Sequence, residues 1–85
     1  MEVEVGVVEH YFGKIQVAAI RILNGTLRVG EKIRIKGATT DFTQDVSSMQ
    51  IEHSSVDEAK EGDVIGLKVI DKVREGDKVY KVIED

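Results

Sequence analysis

The stretch Leu27-Arg-Val-Gly-Glu-Lys-Ile-Arg-Ile-Lys-Gly37 decides the fold class. Ile33 and Ile35 fall on one parity and Arg34 and Lys36 on the other, the two-residue period of a strand with one buried and one solvated face. Gly37 ends that strand. The same period opens the chain, where Val3, Val5 and Val7 alternate with Glu2, Glu4 and Gly6. In residues 14–22, KIQVAAIRI, the apolar parity runs through Ile15, Val17 and Ala19 and then switches to Ile20 and Ile22, which predicts a β-bulge near Ala18 and Ala19. Asn24-Gly25 reads as a tight hairpin turn into the next strand. After the polar stretch ATTDFTQ, the segment DVSSMQIEH places Val46 on one parity and Met49 and Ile51 on the other, predicting a second bulge at Ser47 and Ser48. DVIGLKVI and KVYKVI add two strands, separated by a turn at Glu75-Gly76-Asp77.

One helical signal interrupts this pattern. Ser55-Val-Asp-Glu58 spells a capping box, in which the serine oxygen accepts from the third helical amide and the glutamate reaches back. The expectation is therefore an all-β fold: a small, six-stranded, closed antiparallel barrel, Greek-key-like, with one short helical turn near Val56 to Lys60. Closure would remove the edges that a small open sheet exposes.

The 85 residues suffice for one domain spanning 1–85 and for no second core. Hydrophobic residues make up 41% and charged residues 33%, a folded and not a disordered composition. Cysteine is absent and there are two histidines, so neither a disulfide framework nor an all-protein zinc site is expected. The net charge of −4 argues against a polybasic nucleic-acid arm, although it leaves room for a local basic face. No apolar run reaches the roughly 20 residues of a membrane span, and Met1 to Gly6 lacks a signal-like pattern, so a cytoplasmic protein is expected. Proline is absent and Lys, Glu, Val and Ile are favoured, a bias that hints at heat adaptation.

Several spellings that suggest chemistry have plainer readings. Gly25 to Gly30 has Walker-like glycine spacing, but Glu31 precedes Lys32 and no helix follows to hold phosphates, so no guanine-nucleotide site is expected. Asn24-Gly-Thr26 reads as a hairpin and not as a glycosylation acceptor. His53, Ser54, Ser55 and Asp57 hold the residue types of a hydrolase triad, yet neighbours along a strand end do not place a base between nucleophile and acid. Glu61, Asp63, Glu75 and Asp77 sit in turns without calcium-loop spacing. No catalytic residue, metal or cofactor is expected.

Two clusters remain as candidate binding residues. Glu9-His-Tyr-Phe-Gly-Lys14 gathers rings and a cation in one loop, where Tyr11 or Phe12 could stack a base beside Lys14; the plainer reading has Tyr11 and Phe12 plugging one end of the barrel. Arg34 and Lys36 leave the same outer face of their strand about 7 Å apart, near the spacing of successive phosphates; the plainer reading is a solvated face.

In order and spacing, V-G-[DE]-x-[IV]-x-I-x-G over Val29 to Gly37 and A-x-x-G-D-x-[IV]-G-L over Ala59 to Leu67 resemble domain 2 of elongation factor Tu and its relatives, the translation-factor β-barrel, over nearly the whole chain. The resemblance implies turns at Gly30 and Gly62, a close strand approach at Gly66, and no GTPase, since that activity belongs to a separate domain. It also places Gln50 and Val64 where the factor has a glutamate facing the aminoacyl group and an asparagine, so aminoacyl-end recognition is not expected to carry over. The stretches TTDFTQDVSSMQ (Thr39 to Gln50) and VREGDKVYKV (Val73 to Val82) resemble the small barrel appended to collagenase-like peptidase family proteins, which implies an accessory module working in trans with a larger catalytic partner.

Two functions follow as expectations. One is a non-catalytic module of the translation or RNA-processing apparatus that touches RNA, the ribosome or a translation-related protein through Tyr11, Phe12, Lys14, Arg34 and Lys36. The other is a protein-docking module for a GTPase or a collagenase-like peptidase family enzyme, favoured by the acidic balance and by apolar residues at the barrel rim. Membrane binding is expected of neither.

Overall fold

The computed structural model describes residues 1–83, and every regular element among them is a β-strand. In chain order these are β1 (Glu2–Phe12), β2 (Val17–Ile22), β3 (Thr26–Arg28), β4 (Lys32–Lys36), β5 (Asp41–Asp45), β6 (Met49–Ile51), β7 (Ser54–Val56), β8 (Glu58–Lys60), β9 (Val64–Lys68) and β10 (Lys78–Val82). Eight of them form one antiparallel sheet in the order β5-β4-β10-β1-β2-β9-β6-β7, and β3 pairs with β8 as a separate ribbon. None of the described residues lies in a helix long and apolar enough to cross a membrane.

The all-β expectation therefore holds, but the strands number ten and not six. The additional four, β3, β5, β7 and β8, are short segments that carry little period-2 signal of their own and pair because the core needs them. In β5, the polar run Asp41–Asp45, Phe42 packs on the core and Gln44 is buried. In β3 and β8, Leu27 and Ala59 face each other across the ribbon and both are fully buried.

The helical turn expected near Val56 to Lys60 is absent: β7 and β8 occupy that segment. Ser55, the expected cap, pairs with Gln50 in the β6–β7 hairpin, and the Asp57 carbonyl accepts from the Val29 amide at 3.0 Å. A single helical turn has a costly nucleus, whereas the ribbon with β3 buries Ala59 against Leu27, so tertiary pairing overrides the local cap.

Closure of the barrel by a continuous hydrogen-bond ladder is not found among the described residues, where β5 and β7 end the sheet. At the β5 end a side chain extends the pairing. The Gln44 amide donates to the Lys68 carbonyl at 2.9 Å, and its oxygen accepts from the Ile70 amide at 2.9 Å.

The bulges also lie elsewhere than predicted. Ala18, Ile20 and Ile22 face inward without a break, and the irregularity sits opposite them in β1, between Val8 and His10, with a second between Glu4 and Gly6. That pair of bulges brings both Val5 and Val8 into the core while Val3 stays 39% exposed. Val46 and Met49 are both buried, but they belong to separate segments on either side of Ser47 and Ser48, so no bulged strand forms there. Asn24-Gly25 does turn, with Gly25 at φ 66°, yet β3 leaves β2 and pairs with β8, so no hairpin results. Gly30 and Gly62 take positive φ, as turns demand, whereas a Cβ at Gly66 would meet nothing nearer than Val17 at 3.6 Å, so no close approach requires glycine there.

The core is aliphatic. Ile20, Ile22, Ile33, Ile35, Ile65 and Leu67 from β2, β4 and β9 are each at most 1% exposed, and each contributes roughly 1.5–3 kcal/mol by leaving water.

Candidate functional site

The residues singled out in the sequence are divided by the fold between two surfaces. Arg34 and Lys36 leave β4 on one face, as the alternation requires. Arg34 is already engaged: its Nε and Nη2 donate to the two oxygens of Asp41 at 2.7 and 2.8 Å, and Nη1 donates to Glu2 Oε2 at 3.1 Å. These bonds tie the start of β1 and the edge strand β5 to β4. The Arg34 guanidinium holds the Asp41 carboxyl below its ordinary range, chiefly by hydrogen bonding, with a further contribution from the charge of Lys36. Asp41 and Glu2 in turn hold Arg34 firmly in its protonated form. Three of its five donors therefore point at carboxylates instead of solvent.

Tyr11 and Phe12 lie in strand and not in loop, because β1 runs on to Phe12 and pairs with β2 at Tyr11↔Ala18 and Phe12↔Val17. Neighbouring residues of a strand face opposite ways, so one ring turns inward and the other outward. Of the two rings expected to plug one end of a barrel, Tyr11 packs against the core, whereas Phe12 is 47% exposed, with its ring edge-to-face on His10 at a centroid distance of 4.5 Å. Lys14 is exposed in the turn that follows. Arg34 reaches Glu2 at one end of β1 and Phe12 closes the other, ten residues on, a separation of roughly 30 Å along an extended strand. The ring and the basic pair do not form one compact site.

A different site forms around Phe12. The outward faces of β2, β9 and β6 lie side by side, with Ala19 beside Gly66 and Gly66 beside Gln50 in register. Gly66 has no side chain and Ala19 a short one, so the middle of this face is recessed into a groove of about 380 Å³. Phe12 and Ile15 form one wall, Val64 contributes to the floor, and the β6–β7 turn, Glu52-His53, forms the opposite rim. Phe12, Ile15 and Val64 are 47%, 61% and 38% exposed, a contiguous apolar lining left open to water.

The ring cluster in the sequence marks Phe12, but the alternation predicts Ile15 as a buried strand residue, whereas Ile15 is 61% exposed, and no sequence motif singles out Glu52. The signal was present in the parity. Val17, Ala19 and Val64 face outward on their strands and are apolar or small where a solvated face would be polar. Gln50 and Val64, set aside as altered aminoacyl positions, both line the groove.

Residues 16–77 match the family model described as elongation factor Tu domain 2. Among curated relatives, the chain is 40% identical over 84 residues to an uncharacterized protease of Methanocaldococcus jannaschii, an alignment covering 98% of this chain and 20% of that protein. It is 38% identical over 72 residues to a collagenase of Porphyromonas gingivalis, covering 84% of this chain and 20% of the other. The chain thus spans about a fifth of the length of these relatives. Among solved structures, the C-terminal domain of a Geobacillus thermoleovorans protein assigned to the U32 peptidases superposes with a TM-score of 0.86 at 21% identity, over 93% of this chain and 91% of that one.

Proposed function

Because the chain belongs to the elongation factor Tu domain 2 family, in the branch similar to collagenase-like peptidase family proteins, we propose that it is a non-catalytic docking module serving a larger peptidase-like body. The observation that carries this reading is the proportion of the matches: nearly all of this chain corresponds to a fifth of proteins named protease and collagenase. A domain of that relative size, with an open apolar groove, is suited to holding a body or its substrate in place while the chemistry proceeds elsewhere. The fold is read as a barrel whose seam is completed at β5 by the Gln44 side chain.

The translation or RNA-processing reading has less support. It rests on Tyr11, Phe12, Lys14, Arg34 and Lys36, but Arg34 is held by Glu2 and Asp41, and Phe12 lies at the far end of β1 from it. A phosphate would have to displace a bidentate carboxylate to reach that guanidinium.

Affinity purification of the tagged full chain from its native cells, with and without nuclease, separates the two. The expected result is co-purification of a peptidase-like protein that survives nuclease treatment. Recovery of RNA or ribosomal proteins that nuclease abolishes would overturn the docking reading. The same would follow if Arg34→Gln with Lys36→Gln released the partner and flattened its salt dependence, since each lost phosphate contact lowers the counterion release.

A further inference from the structure

Ile51 and Ser54 pair across the β6–β7 hairpin, so Glu52 and His53 alone make its turn. Both have positive φ, 50° and 67°, the backbone of the two-residue turn that normally selects Asn-Gly or Gly-Gly. Glutamate and histidine take these angles against a steric cost that glycine does not meet. Neither side chain makes a hydrogen bond or ion pair within the described chain, and both line the rim of the groove. Backbone strain held at an open apolar groove, by residues with no internal partner, is the pattern of a ligand clamp.

The charges of the lining indicate the occupant. Glu52 is the one carboxylate among the lining residues and no lysine or arginine is present, while Phe12, Ile15 and Val64 supply apolar surface. A phosphate backbone would face Glu52 with like charge. A second copy would bring another chain of net charge −4 to a rim that carries a carboxylate and no lysine or arginine, so like charge disfavours self-association there. A peptide segment with an apolar side chain beside a lysine or arginine satisfies both the wall and the rim.

We infer that this groove seats such an apolar-cationic segment of the larger peptidase-like partner, and that Glu52 and His53 select it. The inference rests on the docking reading above for the partner's identity but not for the chemistry of the groove. The probes are two blocked peptides, acetyl-Gly-Leu-Lys-Gly-amide and its counterpart with glutamate in place of lysine, with adenosine monophosphate as the third, each titrated into the ¹⁵N-labelled full chain.

The lysine peptide is expected to shift amides of residues 12–19, 50–53 and 64–66 saturably, and to bind about three- to fivefold more tightly than the glutamate peptide, the effect of one rim ion pair. Glu52→Gln should bring the two peptides within about twofold of each other. Glu52→Asn with His53→Gly suits the turn better, so this variant should melt higher than wild type while losing the preference, which separates recognition from folding. Absence of saturable shifts, equal binding of the two peptides, or tighter binding of the nucleotide would overturn the proposal. If wild type retains its peptidase-like partner in the purification but the peptides show no preference, the groove inference fails and the docking reading stands. If the preference is present and no such partner is recovered, the docking reading fails and the groove chemistry stands.

Discussion

Replacing Gln44 with alanine tests whether one side chain holds the β5 edge of the sheet to the backbone that follows β9. The amide of Gln44 pairs with the Lys68 carbonyl and the Ile70 amide, both at 2.9 Å, and the residue is 9% exposed. Each such bond contributes about 0.5–1.5 kcal/mol net, so losing two costs about 1–3 kcal/mol. The lower half of that range is expected, because Ile70 is 69% exposed and water can reach the freed groups. At about 4–8 °C per kcal/mol for a domain of this size, a loss of about 1–2 kcal/mol lowers Tm by about 4–16 °C. Urea unfolding should show a lower midpoint with an unchanged slope, and amide exchange at Ile70 should accelerate selectively. Gln44→Glu sharpens the test. A carboxylate still accepts from Ile70 but cannot donate to Lys68, and its charge is poorly solvated at that depth, so the variant should regain stability relative to wild type as pH falls and the acid form becomes a donor. A Gln44→Ala loss below about 0.5 kcal/mol, with no change in Ile70 exchange, would show that the β5 edge does not depend on this side chain.

Other consequences concern particular contacts. A methyl group at Gly37 would overlap Oδ1 and Cγ of Asp77, a buried residue whose Oδ2 accepts from the Arg74 amide at 2.9 Å, so Gly37→Ala should cost about 2–4 kcal/mol in chemical denaturation. In an Asp77→Ala background the same substitution should cost under about 1 kcal/mol, because its three nearest obstacles are gone; equal costs in both backgrounds would refute the overlap. The Asp41 carboxyl titrates lower in the folded chain than in the unfolded one, so the stability it brings is full above the ordinary carboxylate range and lost as pH falls through its depressed folded value. The Tm gap between wild type and Arg34→Gln should therefore narrow between pH 6 and pH 2, and a gap that stayed constant or widened would contradict the pairing.

What the sequence determined by itself was the strand character of its longer segments, the placing of several turns, and the family. Ile33 and Ile35 against Arg34 and Lys36, or Ile65 and Leu67 within β9, declare their buried faces because side chains alternate along any strand, whatever it pairs with. Gly30 and Gly62 declare turns because positive φ is a local property of the backbone. Tertiary structure decided what depends on distant neighbours. Ser55 to Glu58 is a good helix start in isolation, and it became strand because Leu27, far back in the chain, required Ala59 across from it. Arg34 looked like a free cation until the fold brought Glu2, 32 residues away, to its guanidinium. The groove has the same origin: Phe12, Gln50, Glu52 and Val64 carry no shared local pattern, and they meet because β2, β9 and β6 lie in register around a glycine. Alternation and turn preference act over a few residues, whereas strand partnership depends on which apolar faces can be buried together, and that is set only when the whole chain closes on its core.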